Sequence, residues 1–226
     1  MKHNAFTLAE DMQNSKLKFG FTLSEILITL GIIGVVSALT LPTLMKNHQR
    51  QVYVTQLHKV YNELAQAAEQ LKTDSNVTRL GESRLRRQGS GYLLNHYFKT
   101  TKTCNNDNLT DCFGNDYQNM NGDEVSISNF VPANSACAII ASGASICVSG
   151  TSYLEVVTDI NGKQGPNIVG RDLFSLIIWN NGTVTTKRDP SDADDNFIDN
   201  CTKGVDAGEY GTCLAKIISD GWKMDY

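Results

Sequence analysis

Apolar and polar positions divide the chain into stretches of different period. Residues 1–20 are polar, with no regular apolar spacing. Ile26 to Met45 reads ILITLGIIGVVSALTLPTLM, 20 residues without a charge. As a helix rising ~1.5 Å per residue, that length crosses a ~30 Å hydrocarbon core. Further on, Tyr53, Leu57, Val60, Tyr61, Leu64, Ala68 and Leu71 recur at spacings of three and four, which makes one helical stripe. No Gly or Pro interrupts Lys46–Lys72. The pattern predicts one long helix from Leu23 to about Lys72, with its first half in lipid and its second laid on a folded domain.

After Lys72 the period changes. Residues 73–90 read as a loop and Gly91–Phe98 as a short helix, followed by Asn-rich polar stretches. Strands are expected at Cys137–Ile140, Ser145–Val148, Tyr153–Thr158, Phe174–Trp179 and Thr183–Lys187. Asn180-Asn181-Gly182 joins the last two with a hairpin signal. Residues 188–212 read as a loop, and a short helix around Leu214–Ser219 closes the domain. The fold class is therefore α+β: a long N-terminal helix packed on a small antiparallel β-sheet.

An N-terminal apolar run is also what a secretory signal peptide shows. No Ala-x-Ala site follows this one, and the pattern continues through Lys46 into a second helical stretch. No Cys lies near it to carry a lipid anchor. A single-pass anchor is the simplest remaining reading, but Glu25 at its start does not fit a plain one. A carboxylate at the centre of a membrane helix costs roughly 2.5–3.5 kcal/mol, and less near the interface, so such a group is a functional candidate when a partner can be named. A cut after Gly20 would give Phe21 a free α-amino group, and the amino group of a neighbouring copy is a natural partner for Glu25.

Gly20, Phe21, Thr22, Leu23, Ser24 and Glu25, followed by the apolar run, resemble the prepilin cleavage and methylation motif shared by type IV pilins and type II secretion pseudopilins. The echo FTLAE at residues 6–10 runs into DMQNSKLK, which cannot sit in lipid, so no function is attached to it. The resemblance implies cleavage between Gly20 and Phe21 by a prepilin peptidase, N-methylation of Phe21, and Glu25 as the assembly glutamate. Gly34 and Pro42 fall where type IV pilins have a helix-breaking glycine and proline. Proline removes a backbone donor and glycine lowers helix propensity, so both should loosen the helix.

The expected organisation is a cleaved leader over 1–20 and a transmembrane, filament-core helix over 21–45. Residues 46–226 form an amphipathic continuation and a globular pilin-like head. The implied location is the inner membrane, single-pass, with a cytoplasmic N-terminus and an extracytoplasmic head, and then a surface or periplasmic filament. Expected partners are other copies or related pilins, the peptidase/methyltransferase, an inner-membrane assembly platform and membrane lipid. A second, weaker likeness to pilin-like proteins runs through Asp159-Ile-Asn-Gly162, Pro166-Asn167, Gly170, Asp172 and Phe174, and through Cys213–Tyr226 with Trp222. A type II secretion pseudopilin or minor pilin is the alternative within this superfamily. A single-pass membrane-anchored extracytoplasmic binding protein is the alternative outside it.

Composition narrows the rest. Beyond residue 20 the chain has 17 basic and 22 acidic residues, a net charge of −5. A nucleic-acid partner is not expected, because a dedicated binder carries a basic footprint. The small cluster Arg79, Arg84, Arg86 and Arg87 reads as a solvated loop. All six cysteines lie beyond residue 100. Their spacing suits no zinc finger, and an even count in an exported domain reads as disulfides. Sequence neighbours give the simplest pairing: Cys104–Cys112, Cys137–Cys147 and Cys201–Cys213, with buried free thiols as the alternative. Asp189, Asp192, Asp194, Asp195 and Asp199 are calcium candidates as oxygen donors, but their spacing matches no EF-hand, so no metal or other cofactor is expected. Asp159, Asn161 and Gly162 read as a tight turn. No nucleophile elbow, phosphate loop or His–Glu metalloprotease pattern occurs, so an enzyme is not expected.

Overall fold

A computed structural model describes residues 20–187, 201 and 211–226. The leader positions 1–19 and the five calcium-candidate aspartates between 189 and 199 lie outside the described residues. The chain divides between Lys46 and Asn47 into two compact units.

Helix α1 spans Leu23–Ser75 and is continuous through Gly34 and Pro42. Over residues 47–75 its buried side chains are Tyr53, Val54, Leu57, Val60, Leu64, Ala67, Ala68 and Leu71. This is the stripe that the three-and-four spacing describes, and it packs against one face of a β-sheet.

That sheet has six antiparallel strands. They are β1 (Thr100–Cys104), β4 (Ala136–Ile140), β5 (Ser145–Ser149), β6 (Leu154–Asp159), β7 (Leu173–Ile178) and β8 (Val184–Thr185), adjacent in that order. Side chains alternate between its faces. Ala138, Ile140, Ile146, Val148, Val156, Phe174 and Leu176 join the α1 stripe in one core. Leu93 and Leu94 of α3 (Gly91–Tyr97) and Leu214 and Ile217 of α4 (Thr212–Ser219) complete it.

The opposite face carries a second core. Cys137, Cys147, Val157 and Leu173 pack there under Leu109, Phe113, Tyr117, Ile127 and Phe130. The covering segment contains a two-stranded ribbon of β2 (Tyr117–Gln118) and β3 (Glu124–Val125). Burial on both faces explains why β5 and β7 are buried at every position. Residues 73–90, expected as a loop, hold a 3₁₀ turn (Leu80–Glu82) and the one-turn helix α2 (Leu85–Gln88).

Three disulfides tie the head: Cys104–Cys112, Cys137–Cys147 and Cys201–Cys213. Cys137 and Cys147 face each other across β4 and β5. Cys201–Cys213 lies against Gly170, whose φ of +87° favours glycine. A Cβ there would collide with Cys213 Sγ. The Asn180-Asn181-Gly182 hairpin turn is tied down on two sides. Lys72 Nζ donates to the Asn181 carbonyl at 2.6 Å, and Gly81 N donates to Asn180 Oδ1 at 2.9 Å. At the C-terminal side, Trp222 packs at a tilt against His58 with centroids 4.1 Å apart and meets Tyr61 edge-on at 5.2 Å.

Gly182 has φ +94°, and a Cβ there would press on Lys72 Nζ and Glu69 Oε1 at 2.8 and 2.9 Å. Gly182→Val should therefore cost about 1–3 kcal/mol, because a β-branched residue tolerates positive φ poorly. Thermal melts of the two proteins check this, and an unchanged midpoint would contradict it.

Candidate functional site

The start of α1 is built from its own sequence. Thr22 precedes the first helical residue, and its carbonyl accepts the Ile26 amide at 3.2 Å. Thr22 Oγ1 accepts the Glu25 amide at 3.2 Å, while Glu25 Oε2 accepts the Thr22 amide at 2.8 Å. Thr22 Oγ1 also donates to Glu25 Oε2 at 2.8 Å. This reciprocal arrangement is a capping box, and it satisfies helix-start donors that have no partner inside the helix. The signature Thr-x-x-Glu was present in the sequence as TLSE, yet sequence reasoning assigned Glu25 an intermolecular role only.

The residues around the box are open. Phe21 is 82% exposed, and a Cβ added at Gly20 would meet nothing within 4 Å. The fold thus places no demand for glycine at position 20. The same holds for Gly31 and Gly34, where added Cβ atoms also meet nothing. Gly31 and Gly34 each cost the helix roughly 0.5–1 kcal/mol relative to alanine, and among the described residues no close contact requires either.

From Phe21 to Met45 the large apolar side chains are exposed on every side of the helix. The helix is long and apolar enough to cross a membrane, and its most apolar window has no buried residue. A helix that is apolar all round is stable only when something apolar surrounds it. Pro42 lies inside this segment without ending the helix.

Other residues singled out from the sequence fall elsewhere and do not converge. Arg79, Arg84, Arg86 and Arg87 are all exposed, and Arg84 Nη1 donates to the Tyr92 hydroxyl at 2.9 Å. His58 packs at a tilt against Trp222, and His96 stacks on Tyr92. Among the described residues no three of His, Cys, Asp and Glu gather as metal ligands.

One polar cluster was not anticipated. Asp159 ends β6 and Asp172 precedes β7, and both are fully buried. Asp159 Oδ2 accepts the Tyr117 hydroxyl at 2.6 Å, and Oδ1 accepts the Asn161 amide at 3.2 Å. Asp172 accepts the Asn167 and Ile168 amides at 2.7 and 2.6 Å. Burial raises Asp159 to about 8, with the Asp172 charge adding to it and the Tyr117 hydroxyl opposing it. Burial likewise raises Asp172 to about 6, against its amide donors. The turn at Asp159–Gly162 was legible from residue types. The burial was signalled only by an aspartate directly abutting each of two apolar strands.

Compared with known proteins, the chain matches no family model, no curated protein and no solved structure.

Proposed function

We propose that this chain is the structural subunit of a type IV pilus or pilus-like filament. The observation that carries the reading is the GFTLSE sequence joined to a helical stretch whose large apolar side chains are all exposed among the described residues. Copies of that helix packed together, or lipid before assembly, supply the missing apolar surroundings. Gly31 and Gly34 suit close helix approach, where small residues let backbones near one another. The three disulfides suit a head carried into an oxidising compartment, with the N-terminus left in the cytoplasm. The role is assembly, with no catalytic step. Its partners are other copies, a prepilin peptidase and methyltransferase, and an assembly platform in the membrane.

Processing tests the first step. Mass spectrometry of the mature protein should find N-methylated Phe21 at its N-terminus. Gly20→Gln should block the cut, while Gly20→Ala slows it. Because a side chain at 20 meets open space, a block reads recognition by the peptidase rather than misfolding. An intact Met1, or a start after residue 45, would sink the reading.

Packing tests the second step. All six cysteines are in disulfides and Leu27 is exposed, so Leu27→Cys provides a single free thiol. Oxidation should give a disulfide-linked dimer, the largest species that one thiol per subunit allows. A lone membrane anchor carrying a binding domain would give none.

A further inference from the structure

We infer that Asp159 and Asp172 form a pH-sensitive latch, which holds the β6–β7 connection closed while at least one of the two carries a proton and releases it when both are ionised. This rests on the head alone and not on the filament reading.

The connection, residues 160–172, is fastened at both ends by these side chains. Asp172 binds the Asn167 and Ile168 amides, which folds the end of the connection back on itself. Its backbone carbonyl accepts the Ile160 amide at 2.9 Å, which joins the two ends. Asp159 reaches the other way, to the Tyr117 hydroxyl, which itself accepts the Gly114 amide at 3.3 Å. The middle of the connection is then sewn to β2: Gln118 N donates to the Asn167 carbonyl at 3.0 Å, and Val169 N donates to the Gln118 carbonyl at 2.9 Å. One pair of carboxylates thus holds the connection to itself and, through Tyr117, to the layer covering the second face.

The ion pairs among the described residues involve neither aspartate. The groups within electrostatic reach are few. Tyr117 faces the pair from β2, and burial pushes its hydroxyl far up, with the Asp159 charge next. Tyr53 faces it from α1 and lies near Arg171 as well. The Arg171 Nε is buried without a hydrogen-bond partner. Two unpaired anions in one buried site repel strongly, so one of them keeps a proton. Asn161 Oδ1 and Asn167 Oδ1 in the same connection are buried and lack a donor. They are unused acceptors in the segment where that proton is held.

The sign of the pH effect follows. Both folded values lie above the ordinary 3.8 of an aspartate. The unfolded chain therefore releases these protons first as pH rises. The stabilising contribution is complete below about pH 4. It declines through the Asp172 range near 6 and is gone above the Asp159 range near 8.

Hydrogen exchange on the full-length protein in detergent tests this, with rates corrected for intrinsic pH dependence. Between about pH 6.5 and about pH 9, amides of residues 160–172 and 117–118 should lose about tenfold or more of their protection. Those of β4 and β5 should not. Asp159→Asn mimics the protonated partner and should keep its protection at both pH values. The wild-type infrared spectrum gives a second readout if that variant does not fold. A carboxylic-acid stretch should persist at neutral pH and vanish by about pH 9. Protection that is indifferent to pH, loss spread evenly over the head, the same loss in Asp159→Asn, or no acid stretch at neutral pH would each overturn the latch.

Discussion

Leu64→Ala should lower the unfolding midpoint of the head by about 5–15 °C. Leu64 is fully buried at the centre of the α1 stripe. It belongs to the same core as Val156, Phe174 and Leu176 on the facing sheet. Truncation removes its transfer free energy and leaves a cavity between helix and sheet, together about 2–5 kcal/mol. Asn62 lies two residues away on the exposed side of the same helix. Asn62→Ala should shift the midpoint by less than a couple of degrees, since exposed substitutions usually stay within about 0.5 kcal/mol. Thermal melts followed by circular dichroism, in the detergent used for purification, separate the two. Equal shifts would mean that the second half of α1 does not hold the sheet.

That stripe was legible because period 3.6 survives wherever one face of a helix is buried. The predicted helix ended at about Lys72, and the observed one ends at Ser75. Four strands, β4 to β7, were readable as apolar runs bounded by turn residues, each within a residue or so at its ends. The hairpin at Asn180–Gly182 was readable from its turn chemistry, although β8 is shorter than expected. β1 was missed for a physical reason. It is a polar edge strand, TTKTC, with three exposed positions, and its pairing to β4 is set by tertiary contacts.

Residues 105–135 defeated periodicity in another way. They cover the second face of the sheet with loops and short turns. Phe113, Tyr117, Ile127 and Phe130 serve as separate anchors there, so no repeat exists to detect. The Asp159–Asp172 pair was hidden because burial of a charged residue depends on what covers it. Here the cover comes from Tyr117, some 40 residues away in the chain. At the start of α1 the opposite happened. The capping box is purely local and could have been read, but the intermolecular role for Glu25 took precedence.

The capping box sharpens the test of that role. Glutamine is accepted at the same capping position, since its side-chain oxygen can also take the Thr22 amide. Glu25→Gln should therefore keep the helix start. It would lose only the favourable interaction of a negative charge with the helix N-terminus. If Glu25 does no more than cap α1, filaments should form normally, and membrane insertion should become easier. If Glu25 pairs with the α-amino group of a neighbouring Phe21, the outcome is different. The neighbour's ammonium would be left without a counter-charge among apolar helices, and an uncompensated buried charge is strongly destabilising, by about 3–5 kcal/mol. The expected result is a Glu25→Gln protein that is cut and methylated, stays in the membrane fraction, and is missing from sheared filaments. Thr22→Ala supplies the complementary arm. It removes the threonine half of the box and keeps the carboxylate, so assembly should persist at a reduced level. Normal incorporation of Glu25→Gln in cells lacking wild-type subunits, or failure of Thr22→Ala alone, would leave the capping role as the whole explanation of Glu25.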